Sequence, residues 1–152
     1  MKKRVFCILL SLCTVLLLSC PALAVAGDAQ PIAYEVNTTN TDNVRSVDKD
    51  VTNVTIKGGA SKKIAFDMSN GAFGTGTPHN AFNVRVTNVS VNSKYTLSIT
   101  YDGIELWNKQ YTGDAAVNVT NCSKGQDWIV FIINDSSQDM SCDYSIKSFI
   151  KL

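Results

Sequence analysis

Histidine is almost missing from this chain: among its 152 residues only His79 carries an imidazole. Hydrolysis by a nucleophile–histidine pair therefore has one candidate base, and no Gly-x-Ser-x-Gly or comparable nucleophile signature accompanies it. His79 lies in a Gly- and Thr-rich stretch and reads as an exposed loop residue. Metal ligation is short of donors as well. Two cysteines and one distant histidine lack the spacing of a zinc site. Asp48-Lys49-Asp50 and the run from Asp135 to Asp139 offer fewer carboxylates than the six to eight oxygens calcium takes. Gly74-Thr75-Gly76-Thr77 lacks the Gly-Lys-Ser/Thr of a phosphate loop and no helix follows it. The acids that could serve glycosidic chemistry stand mostly in turns, where Asp caps backbone amides. These absences leave no catalytic residue, no cofactor and no metal to name.

Also missing are an excess of one charge and a helical period. Beyond residue 26 the three leader cations drop out, so 11 of the 14 basic residues face 13 acidic ones, a net charge near −2. No basic patch calls for nucleic acid or an anionic membrane. No segment repeats its apolar residues every 3.6 positions, and no internal repeat or second domain is visible.

One long apolar run exists, and it stands at the start. Lys2, Lys3 and Arg4 precede an apolar stretch from Val5 to Ser19. Small-residue exits follow at Ala22-Leu23-Ala24 and Ala24-Val25-Ala26. That order is the pattern of a secretory signal peptide over residues 1–26, with a bacterial look and an extracellular product. Leu17-Leu18-Ser19-Cys20 also resembles a lipobox, so the alternative is a cell-envelope lipoprotein anchored at Cys20. Cys7, Cys13 and Cys20 lie in this leader. The remaining two, Cys122 and Cys142, are expected to pair in a disulfide once exported.

Residues 27–152 read as a single domain. Ile32, Tyr34 and Val36 alternate with smaller or polar neighbours, as do Val54 and Ile56, then Ile64, Phe66 and Met68. Phe82, Val84 and Val86 continue the pattern to a break near Asn88, and Tyr95, Leu97, Ile99 and Tyr101 resume it. Asp102-Gly103 before Ile104 is a strong hairpin signal, because both turn positions need positive φ. Ala116 to Val119, Trp128 to Ile133 and Tyr144 to Ile150 complete the set. Trp128 to Ile133 is apolar on both faces, which predicts a strand buried between two layers. Turns every 8–12 residues predict an all-β, antiparallel sandwich of seven to nine strands, immunoglobulin-like or jelly-roll-like. Thirteen Asn residues create six Asn-x-Ser/Thr sequons beyond the leader, which we treat as composition.

The remaining features suit binding. Phe73 lies in the glycine-rich loop with nothing nearby to bury it. Trp107 stands out of phase with Ile104 and Leu106, which points it away from the core, and Tyr111 shares its strand face. The expected function is a non-catalytic, exported binding module with ligand contacts at Trp107, Tyr111 and Phe73. Its partner is a surface glycan, a protein, or another copy of the chain.

Overall fold

In the computed structural model, residues 29–38, 49–68 and 79–151 are described, and they contain nine strands and no helix. The strands are β1 (Ile32–Glu35), β2 (Lys49–Ile56), β3 (Ser61–Asp67), β4 (Ala81–Thr87), β5 (Tyr95–Tyr101), β6 (Ile104–Tyr111), β7 (Ala115–Thr120), β8 (Asp127–Asn134) and β9 (Met140–Phe149). They form two antiparallel sheets, one ordered β1-β7-β4-β9-β2 and the other β3-β8-β5-β6. The sandwich expected from period-two patterning is the observed fold. Residues 1–26, with the leader and Cys20, lie outside the described residues.

Each sheet turns one set of alternate residues inward. Phe82, Val84, Val86, Val117, Val119 and Ile146 from the larger sheet meet Ile64, Leu97, Ile99, Trp128, Val130 and Ile132 from the smaller. Trp128 is fully buried, edge-on to Phe82 at 4.9 Å and tilted against Tyr101 at 5.3 Å. The β5–β6 connection is the predicted tight turn, with φ of +48° at Asp102 and +80° at Gly103.

Asparagine does much of the work in the turns. Asn53, Asn88, Asn92 and Asn121 all hold positive φ, which Asn tolerates better than other residues bearing a Cβ. Asn53 sits where the β2–β9 register slips between Val51 and Val54. Its N–H donates to Asp143 Oδ1 at 2.7 Å, and Asn88 Nδ2 donates to Asp143 Oδ2 at 2.6 Å. These donors hold the Asp143 carboxyl below its usual range.

β1 and β2 occupy opposite edges of the five-stranded sheet. After β1 the chain reaches the outer face, where Arg85 donates to the Thr38 carbonyl at 3.2 Å. Beneath it Arg85 Nε donates to Asn83 Oδ1 at 2.9 Å, and Asn83 Nδ2 to Asn118 Oδ1 at 2.6 Å. Asn83, Ala116 and Thr120 are buried although they belong to the outward set of their strands.

The expected disulfide is not formed. Cys122 and Cys142 are free, buried thiols. The register explains why. Cys122 follows the end of β7, where Thr120 pairs with Ala81 and Ala81 with Phe149. Cys142 pairs with Val54 at the other end of β9. About seven residues of strand, roughly 23 Å, separate those ends, well beyond the ~7 Å between Cα atoms that a disulfide spans. Burial pushes the Cys122 thiol up to about 12 and the Cys142 thiol up to about 11. Neither is a thiolate at neutral pH, so both should resist a thiol reagent in the native protein and react only after unfolding. A non-reduced peptide map with the two linked would contradict this structure.

Candidate interaction surface

Trp107 and Tyr111 share one face of β6, as the sequence predicts, but it is the inward face. The β5–β6 register slips between Ile99 and Thr100, leaving Leu106 unpaired in a bulge. One extra residue reverses the phase of everything beyond it. Trp107 therefore stands opposite the buried Ile99, and Tyr111 opposite the buried Tyr95. Both pack against the core, with the Tyr95 and Tyr111 rings stacked at 5.7 Å. Trp107 Nε1 and Tyr111 Oη are buried and close no hydrogen bond. Burial also pushes the Tyr111 phenol above its usual range. Phe73 lies outside the described residues.

These two aromatics close one side of the sandwich, where β6 passes β1. Lys109 Nζ bridges to Glu35 Oε2 at 2.7 Å, tying the two sheets together at that edge. The Lys109 ammonium holds Glu35 below the usual carboxylate range.

His79 is half-buried rather than exposed, with Nδ1 2.6 Å from Ser148 Oγ. Ser148 is fully buried on the inward face of β9, so no substrate can reach its hydroxyl. Asp67 pairs across strands with Asp127, and both line an open cleft of about 370 Å³ with Ala65 and Ile129. Among the described residues no three His, Cys, Asp or Glu side chains converge to hold a metal.

A different surface draws attention. On β8, Trp128, Val130 and Ile132 fill the core, while Ile129, Phe131 and Ile133 point outward and are only half-buried. The strand was expected to lie between two layers; instead no third layer covers it among the described residues. The register arranges its neighbours in rows across the sheet. Ser61, Ile133, Thr96 and Gln110 form one row. Lys63, Phe131, Ser98 and Asn108 form the next, and Ala65, Ile129, Thr100 and Glu105 the third. An apolar ridge on β8 thus lies beside the hydroxyls of β5, with polar strands at both margins. The β6 margin is held in place: Gln110 Nε2 and Thr96 Oγ1 donate to Asp135 Oδ2 at 2.9 and 2.8 Å, and Asn108 Nδ2 to Glu105 Oε2 at 2.7 Å.

The two-faced apolar pattern of β8 was the sequence signal for this surface. That pattern alone implies burial on both faces, because neighbouring layers cannot be counted from one strand.

No family model matches the chain, and no curated protein matches it. Among solved structures it is similar to the CBM36-1 domain of a multidomain xylanase from the hindgut metagenome of Trinervitermes trinervoides. The TM-score is 0.37 at 11% identity, over 81% of this chain and 100% of that one.

Proposed function

We propose that this chain is an exported, non-catalytic interaction module that meets its partner through the outer face of the β3-β8-β5-β6 sheet. One observation carries this reading: the Ile129–Phe131–Ile133 ridge faces outward from a strand inside the sheet. Apolar side chains at such positions are normally covered by another layer, and an apolar centre within a polar rim is the anatomy of a contact surface. The leader at residues 1–26 supplies the case for export.

Phe131→Ala tests the reading. Electrophoresis through gels containing xylan, mannan or β-glucan, together with sedimentation of the protein alone, would survey glycan binding and self-association. At least one interaction should appear in the native protein and weaken about 30-fold in the variant, the effect of losing a central aromatic anchor. The melting temperature should change little, because Phe131 lies outside the core. Interactions that persist unchanged in Phe131→Ala would refute the assignment of this face.

A further inference from the structure

The middle rows of this face carry opposite charge at their two margins, and Asp67 lies at the far end of the β3 margin. Lys63 stands exposed on β3 with no ion-pair partner among the described residues, and Glu105 stands exposed on β6, with Asp135 near the same margin. Lys63 belongs to the row of Phe131 and Glu105 to the adjacent row of Ile129.

We infer that the occupant of this face is a second copy of the same chain, related by a two-fold axis parallel to the strands. This rests on the reading of the face as a contact surface. Rotation about that axis keeps each row in place and exchanges the margins, so β3 of one copy lies over β6 of the other. Lys63 then falls within one row, roughly 7 Å along the strands, of Glu105 in the second copy, and symmetry repeats the pair. Phe131 of each copy lies close to the axis, over the β5 hydroxyls of its mate. A two-fold axis running across the strands would set Lys63 against itself, so the charges select one orientation. Sheet twist makes facing sheets diverge toward their corners, which carries Asp67 and Asp127 away from their copies.

A neutral polysaccharide fits less well. It would leave Lys63 and Glu105 unused, and two of the three ridge side chains are aliphatic, without a ring face for a sugar to stack on. The size of the face limits the strength of the pairing. Four strands and about seven residues span roughly 20 by 23 Å, on the order of 450 Å² per copy. Standard stable complexes bury about 800 Å² per partner. The dimer is therefore weak and concentration-dependent.

Sedimentation equilibrium on the purified protein at low salt, from about 10 μM to about 1 mM, should show a monomer–dimer equilibrium. Phe131→Asp should abolish it. Lys63→Glu and Glu105→Lys should each weaken dimerisation at least tenfold, and the Lys63→Glu/Glu105→Lys double variant should return to within a few-fold of the native value. Melting curves confirm that each variant is folded. A native protein monomeric throughout, or an association indifferent to all these substitutions, overturns the inference. If that monomer still binds a polysaccharide in a Phe131-dependent way, the face keeps its role and only its occupant changes. If no interaction depends on Phe131, both readings fall.

Discussion

Replacing Trp128 with alanine is expected to lower stability by about 3–5 kcal/mol. For a domain of this size that corresponds to a fall in melting temperature of roughly 10–20 °C. Trp128 is fully buried at the start of β8 and touches two aromatic rings, Phe82 and Tyr101, at this end of the core. Phe66, opposite Trp128 in the β3–β8 register, packs on Phe82 with centroids 5.1 Å apart at right angles. Removing the indole leaves a void bounded by rings on strands of both sheets, which cannot move independently to close it. The indole N–H is buried without a hydrogen-bond partner, so the residue contributes through packing alone. Trp128→Phe should therefore be clearly milder than Trp128→Ala, because it restores much of the volume and removes an unpaired donor. Urea denaturation of the two variants reads the difference. Equal losses would mean that the indole N–H matters more than the volume.

The second large effect is expected at Asn134, which is fully buried at the end of β8. Its Nδ2 donates to the carbonyls of Ile56 at 2.9 Å and Gln138 at 2.8 Å, while its Oδ1 accepts from the N–H of Ser136 at 2.9 Å. One side chain thus joins the end of β2 to the loop leading into β9. Asn134→Ala leaves two carbonyls and one amide without partners and should cost about 3 kcal/mol, given about 1–3 kcal/mol for each buried group left unpaired. Asn134→Asp should be at least as damaging, because it sets a carboxylate against the same two carbonyls. A melting temperature unchanged in either variant would remove Asn134 from the frame of the fold. Asn134 also begins one of the six sequons, and its side chain is fully committed inside the protein.

Strand positions were legible because alternation is a local signal. Tyr95 to Tyr101, the Asp102-Gly103 turn and the β8 core set follow from neighbouring residues alone. The bulge at Leu106 was not legible, since an unpaired residue shows only against the partner strand. It inverted the reading of Trp107 and Tyr111. The cysteine pairing failed for a related reason: the sequence limits which thiols remain, but the distance between them depends on which strands neighbour one another. The outward β8 ridge was visible as residues and misread as environment. Whether both faces of an apolar strand are covered depends on how many layers the whole chain makes.

The place of β9 bears on how the chain comes together. β9 pairs with β4 on one side and β2 on the other, and β2 has no other partner among the described residues. The five-stranded sheet therefore waits for its last ten residues, Met140–Phe149, to become available. β1 likewise waits for β7, more than eighty residues later. A chain emerging N-terminus first, from a ribosome or through a narrow channel, can form only fragments of this sandwich before its C-terminal end is free. Pairings this distant in sequence make folding slow. For the export proposed above, that delay would leave the early strands unpaired until the closing strand arrives.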